Sequence, residues 1–212
     1  MLTLYGNLES GNVYKVRLIL ALTGRPYRAV DVSQVRGDPT TPAFRAVNPI
    51  AKVPALKLED GRLLAESGAI LFWLARGTRY FPDDPWAQAQ ILQWMFFEQY
   101  SHEPYIAVNR YLMHFAGEGD PRRDRLAFNA ERGHFALGVM EQHLQKNDWF
   151  SPLGYSIADI ALYAYTHVAD EGGFDLAGYP SLRRWLDRLA SQPGHVKIMD
   201  QTSAAPVEAF TR

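Results

Sequence analysis

The chain has 212 residues, 47% hydrophobic and 21% charged, enough ordinary globular material for one large or two small domains. Its formal net charge is −1, with no long run of like charges, so composition offers no electrostatic case for a nucleic-acid partner. Cysteine is absent, which excludes disulfides, thiolate metal sites and a cysteine nucleophile.

No apolar stretch approaches the roughly 18 residues of a membrane-spanning helix. The opening Met1-Leu2-Thr3-Leu4-Tyr5 lacks a signal peptide's charged and apolar regions. A cytoplasmic protein with no membrane partner is expected. Leu2-Thr3-Leu4-Tyr5 alternates and reads as a first strand. Gly6 to Asn12 is a loop by composition. A helix is predicted over residues 13–23, with Val13, Val16, Ile19, Leu20 and Leu22 as its apolar side and Gly24 ending it. Residues 27–32 alternate as a second strand, which makes the opening a parallel βαβ unit. Residues 33–48 read as irregular, with one helical turn at Pro42-Ala43-Phe44-Arg45.

The central stretch is Asn48-Pro49-Ile50-Ala51-Lys52-Val53-Pro54-Ala55-Leu56. Pro49 and Pro54 rule out a helix, because each lacks an N–H and fixes φ. Pro54 stands at the entrance of a strand, Ala55-Leu56-Lys57-Leu58. A trans proline starting a strand is the ordinary reading. A cis Val53–Pro54 bond would instead present the main-chain groups of Val53 outward, where an extended peptide could pair with them. Asp60-Gly61 marks a hairpin, residues 62–65 pair back, and Glu66-Ser67-Gly68-Ala69-Ile70 opens a helix to about residue 76. Glu66 and Ser67 thus stand at a helix N-terminus, where free N–H groups attract a carboxylate. The whole is a βαβ-x-ββα, thioredoxin-like α/β plan over residues 1–77.

Residues 78–85, with two prolines and two aspartates, read as a linker, and residues 86–212 as an all-helical domain. A long helix over residues 86–115 should kink or break near Ser101-His102-Glu103 because of Pro104. Another runs over residues 121–146 with Phe128, Phe135 and Val139 as its buried stripe, and Ala136, Met140 and Leu144 beside them. Ser156 to Asp159 has the Ser-x-x-Asp spacing of a capping box ahead of a helix that is apolar nearly all round. Residues from Pro180 start one more helix and Pro193-Gly194-His195-Val196 a short last one. Residues 201–212 read as a loosely held tail.

Val53-Pro54-Ala55-Leu56, a hairpin and then Glu66-Ser67-Gly68-Ala69-Ile70 resemble the glutathione-binding half of cytosolic glutathione transferases. Ser156-Ile157-Ala158-Asp159 and the C-terminal helices resemble their second half, so the resemblance covers essentially the whole chain. It implies a cis Pro54, contact of Val53 with the cysteinyl backbone of glutathione, and a γ-glutamyl end held by Glu66 and Ser67. Ser10 to Arg17 resembles the bacterial, serine-type members, in which a serine ahead of a basic-x-Arg stretch lies near the sulfur. That implies Ser10 as the catalytic hydroxyl. Tyr5 is the other candidate, and Asn12 could donate a second hydrogen bond. Taken alone, Ser10 reads as an N-cap.

Lys52 could reach the carboxylates of the tripeptide or be a solvated charge, and Arg36 lies in a loop too irregular to assign. The electrophile would bind against the helical domain, drawing on Phe96, Phe97, Tyr100, Tyr105, Tyr111, His114 and Phe115, more than half of which should be buried packing. The histidines are scattered and no phosphate-binding glycine loop is present, so neither a metal nor a nucleotide is expected. The resemblance implies glutathione as co-substrate, a small hydrophobic electrophile and a homodimer. It also leaves open peroxide reduction, disulfide reduction with every sulfur supplied by glutathione, and a non-catalytic interaction protein of the same fold.

Overall fold

The first alternating segment forms β1 (Leu2–Gly6), and it pairs in parallel with β2 (Tyr27–Asp31), Leu4 opposite Ala29. Between them runs α1 (Gly11–Leu22). Gly6 has no Cβ because α1 comes too close: one would stand 2.4 Å from a methyl of Val13. The computed structural model describes residues 1–211. A 3-10 turn (Asp38–Thr40) and a short helix α2 (Pro42–Val47) occupy the irregular segment. β3 (Ala55–Lys57) and β4 (Leu63–Ala65) form the expected hairpin, with Gly61 at φ +88°. α3 (Ser67–Ala75) comes next and packs beside α1. The thioredoxin-like plan is the observed one.

The chain divides into two units, residues 1–76 with 193–211, and residues 77–192. The helical part was expected to continue to residue 212. Residues 193–211 instead return to the first unit, and neither a short helix at 193–196 nor a loose tail is found. Arg212 lies outside the described residues. A two-residue strand β5 (Glu208–Ala209) adds in parallel to β2, giving the sheet order β4-β3-β1-β2-β5.

Arg17 is the main anchor of this return. It is 3% exposed, and its guanidinium donates to the carbonyls of Ile198 (2.5 Å), Lys197 (3.3 Å) and Asp200. Burial lowers its pKa from the usual arginine value. Tyr14 Oη donates to Val196 C=O at 2.7 Å, and Tyr27 Oη is 2.7 Å from Thr202 Oγ1. Phe210 sets its ring edge-on to Phe44 and Tyr5, at 5.5 and 6.3 Å between centroids. This packing accounts for α1 being buried on nearly every side, Lys15 and Arg17 included, and not along one apolar stripe.

In the second unit, Asp84 caps α4 (Pro85–Phe97) by accepting from Ala87 N–H at 2.7 Å. The expected break falls at a π turn, Glu98–His102, ahead of α5 (Glu103–Phe115). Pro104 has no N–H for the carbonyl one turn back, and the chain absorbs the loss by widening that turn. A 3-10 turn (Pro121–Arg125) leads into α6 (Leu126–Leu144), whose buried face differs from expectation. Phe128 and Phe135 are 50% and 67% exposed, while Asn129, Gly133, Ala136, Leu137, Met140, Glu141 and Leu144 face inward. The expected flanking residues Ala136, Met140 and Leu144 are buried, but the expected stripe is centred too far to one side, because Asn129 and Gly133 belong to the inward face and a count of apolar residues passes over them. Gly133 is where Phe174 approaches; a Cβ there would stand 2.3 Å from its ring.

α7 (Ile157–Thr166) is buried at every position, as its all-round apolar sequence requires. Its capping box is complete. Asp159 Oδ2 accepts from Ser156 N–H (2.9 Å) and Ser156 Oγ–H (3.0 Å), and Oδ1 from Phe150 N–H (3.1 Å) and Trp185 Nε1–H (3.0 Å). Burial pushes the Asp159 carboxyl up to about 6, against the pull of those donors. The last helix, α8 (Pro180–Ala190), is capped from α6, Glu141 accepting from Ser181 N–H and Leu182 N–H at 3.1 and 2.8 Å.

Candidate functional site

Strand register brings three loops to one end of the sheet. Tyr5, near the C-terminal end of β1, stands opposite Ala55, the first residue of β3, and Ala55 stands opposite Ala65, the last of β4. The loop from β1 to α1, the approach to β3 and the entry to α3 therefore leave the sheet at the same edge. They carry Ser10 and Asn12, Lys52 to Pro54, and Glu66 with Ser67.

Ser10 is the N-cap of α1, with φ −73° and ψ 119°. Its Oγ accepts from Val13 N–H at 3.3 Å and its C=O from Tyr14 N–H at 2.9 Å. Its own N–H donates to Asn7 Oδ1 at 3.0 Å. The expectation set capping against chemistry, but a hydroxyl does both: it accepts on a lone pair and keeps its proton to donate. That proton is the one donor of Ser10 that has no acceptor among the described residues. Asn7 is a residue the sequence reading passed over. Its amide also donates to Val32 C=O at 3.3 Å, tying the loop to the end of β2.

The Val53–Pro54 bond is cis, the less common alternative that the resemblance implied. Pro54 is buried and Val53 half-buried, and Val53 makes no main-chain hydrogen bond to another described residue. Asn48 shapes the turn before it. This side chain, 2% exposed, donates to Lys52 C=O at 2.7 Å and accepts from Ile50 N–H at 3.1 Å. Ala51 stands at φ +58° within that turn. An asparagine before a proline, with the side chain bonding two residues on, is the Asx-turn signal that would have singled it out.

Glu66 is exposed and held at φ +67°, a conformation that costs a non-glycine residue energy and persists where the surroundings impose it. It forms the N-cap position of α3 without a side-chain cap bond, so the first-turn N–H groups stay open to an anion. Neither α1 nor α3 has an acidic residue in its first turn, so both helix ends favour negative charge. Ser67, 5% exposed, donates its hydroxyl to Asn12 Oδ1 at 3.1 Å, which fastens the start of α3 to that of α1.

The other expected groups fall outside this cluster of contacts. Tyr5 has its ring against Phe210. Arg36 is occupied by Asp38 and Asp31, at 2.7 and 3.0 Å. Lys52 is exposed and makes no ion pair with a described residue. The seven residues expected to supply the electrophile pocket are more open than expected: Phe96, Tyr100, Tyr111, His114 and Phe115 are exposed, Phe97 and Tyr105 half-buried, and none of the seven is fully buried. Among the described residues no helix is long and apolar enough to cross a membrane.

Residues 10–76 match the family described as glutathione S-transferase, N-terminal domain, and residues 95–193 its C-terminal domain. The disulfide-bond oxidoreductase YfcG of Escherichia coli is 30% identical over 190 residues, covering 86% of this chain and 87% of that protein. A crystal structure of a glutathione S-transferase from Pseudomonas fluorescens superposes with a TM-score of 0.91 at 50% identity, covering 94% of this chain and 99% of that one. A glutathione transferase from Burkholderia graminis, with two glutathione molecules bound per subunit, gives a TM-score of 0.80 at 30% identity, covering 96% and 89%.

Proposed function

This chain belongs to the glutathione S-transferase family, and from that premise we propose that it activates the thiol of glutathione for attack on a small hydrophobic electrophile. The observation that carries the reading is Ser10: a hydroxyl with its proton uncommitted, at the N-terminus of α1, beside a cis-proline loop and an uncapped helix start. Val53 would pair with the cysteinyl backbone of the tripeptide. Glu66, Ser67 and the first turn of α3 would hold the γ-glutamyl end, with Lys52 and Asn12 completing the binding set.

The energetic demand is modest. A free thiol has a pKa near about 8.5, so lowering it by about two units takes roughly 2.7 kcal/mol of preference for the anion. A hydrogen bond to a charged group supplies about 1.5–3 kcal/mol, and a helix N-terminus about 0.3–1 kcal/mol. Ser10 stays a neutral donor throughout, and the rest of the rate comes from holding thiolate and electrophile together. The protein would work in the cytoplasm as a homodimer, the commonest symmetric assembly.

A second reading is favoured by the oxidoreductase relative. The glutathione thiolate attacks a substrate disulfide, one sulfur leaves as a thiol, and a second glutathione resolves the mixed disulfide and releases the other thiol, so that two glutathiones are oxidised to glutathione disulfide and their two electrons reduce the substrate. This chain has no cysteine, so both attacking sulfurs would come from glutathione. The test is a parallel assay with a chlorinated aromatic, an organic peroxide and a mixed glutathione disulfide, preceded by calorimetry with glutathione. Turnover of the chlorinated aromatic supports conjugation, and turnover of the mixed disulfide alone supports the second reading. No heat at high millimolar glutathione refutes both.

A further inference from the structure

We propose that Asn7 is the positioning residue for Ser10, aiming its hydroxyl and so setting how strongly a bound thiol ionises. The inference rests on the reading of Ser10 as the donor to the thiolate. A serine hydroxyl can point wherever its backbone and rotamer allow, and a donor aimed off line loses most of its value. Three bonds fix Ser10. Two belong to α1 itself, at Val13 N–H and Tyr14 N–H. The third, from its own N–H to Asn7 Oδ1 at 3.0 Å, is the one bond among the described residues that fixes it from outside the helix.

Asn7 can serve as that fixed point because it is itself held. Its Nδ2 donates to Val32 C=O at 3.3 Å, and Val32 is fully buried just beyond β2. Val32 N–H in turn donates to Gly6 C=O at 3.1 Å. Asn7, Leu8, Val13 and Arg17 also line a cavity of about 30 Å³ with Gln201 and Val207 of the returning C-terminal segment. The loop thus rests on the sheet through one amide and faces the C-terminal segment across that cavity. Both ends of the asparagine amide are used, one as acceptor and one as donor; alanine offers neither, and serine offers a single, shorter-reaching oxygen in place of two separate atoms.

The test tracks the ionisation of bound glutathione by its thiolate ultraviolet absorbance against pH, together with affinity by calorimetry. The proteins are wild type, Asn7→Ala, Asn7→Ser, Ser10→Ala and the Asn7→Ala/Ser10→Ala double variant. Asn7→Ala is expected to raise the thiol pKa by about half to one unit, roughly a three- to tenfold loss of thiolate below that pKa, with affinity within about threefold. Asn7→Ser, the milder change if alanine impairs folding, should fall between alanine and wild type. In the Ser10→Ala background the asparagine change should add nothing further, because it acts through a hydroxyl that is gone. An unchanged thiol pKa in Asn7→Ala overturns the proposal while leaving the role of Ser10 standing. So does a shift that persists in full without Ser10. A wild-type thiol pKa equal to that of free glutathione overturns the thiolate reading and this proposal with it.

Discussion

Replacing Asp159 by alanine should be among the more costly single changes in the helical unit. Its carboxylate is fully buried and joins the loop at Phe150, the N-terminus of α7 and Trp185 of α8. Alanine leaves four donors without that acceptor: the N–H groups of Phe150 and Ser156, the hydroxyl of Ser156 and the indole of Trp185, on residues at 1% exposure or less. A buried unsatisfied donor costs about 1–3 kcal/mol. Relief of the buried charge offsets part of the sum, so the expected loss is on the order of 3–6 kcal/mol, in the range reserved for broken buried networks. Asn at this position keeps Oδ1 for Phe150 and Trp185 and should lose about 1–3 kcal/mol. The assay is equilibrium unfolding in urea, monitored by tryptophan fluorescence. A loss below about 1 kcal/mol for alanine, at unchanged denaturant slope, would refute the network argument. The pH dependence gives a second check. Burial raises the carboxyl to about 6, above its unfolded value near about 4, so the native state binds the proton more tightly. That contribution is complete below about pH 4 and is lost as pH rises through 6. The stability gap between wild type and Asp159→Asn should therefore narrow over that interval. A gap that widens would mean the four donors keep the carboxylate ionised in the native state.

Ser10→Ala should raise the pKa of bound glutathione by about one to two units, with affinity within a few-fold; a wild-type pH–rate profile would move the role to Tyr5 or Asn12. Glu66→Ala and Ser67→Ala should raise the KM for glutathione about tenfold and leave kcat nearly unchanged, and equal losses in kcat would place them in the chemical step. Arg17→Gln removes hydrogen bonds that hold residues 197–200, so limited proteolysis should cut the C-terminal segment at least about tenfold faster; unchanged cleavage would mean β5 and Phe210 hold it alone. Light scattering should return twice the chain mass, and a monomer would remove the proposed dimer.

What could be read from the residues alone were features enforced within a few positions of themselves. The α/β plan came from alternation and helical spacing, the break before α5 from a proline that lacks a donor, and the capping box from Ser156 and Asp159 three residues apart. The glutathione-type motifs were legible for the same reason, since Val53-Pro54 and Glu66-Ser67 are short, ordered and local. The packed structure decided the rest. Which face of α6 turns inward depended on Phe174 seeking a glycine at 133, and no periodicity of apolar residues reports that. Residues 193–211 contain little regular structure, yet they are held by a buried guanidinium some 180 positions earlier in the chain. Asn7 looked like an ordinary loop residue until the carbonyl of Val32, just beyond β2, came beside it. Each of these is a partnership between distant positions, and a backbone donor or a ring face acquires its partner only when the chain has closed.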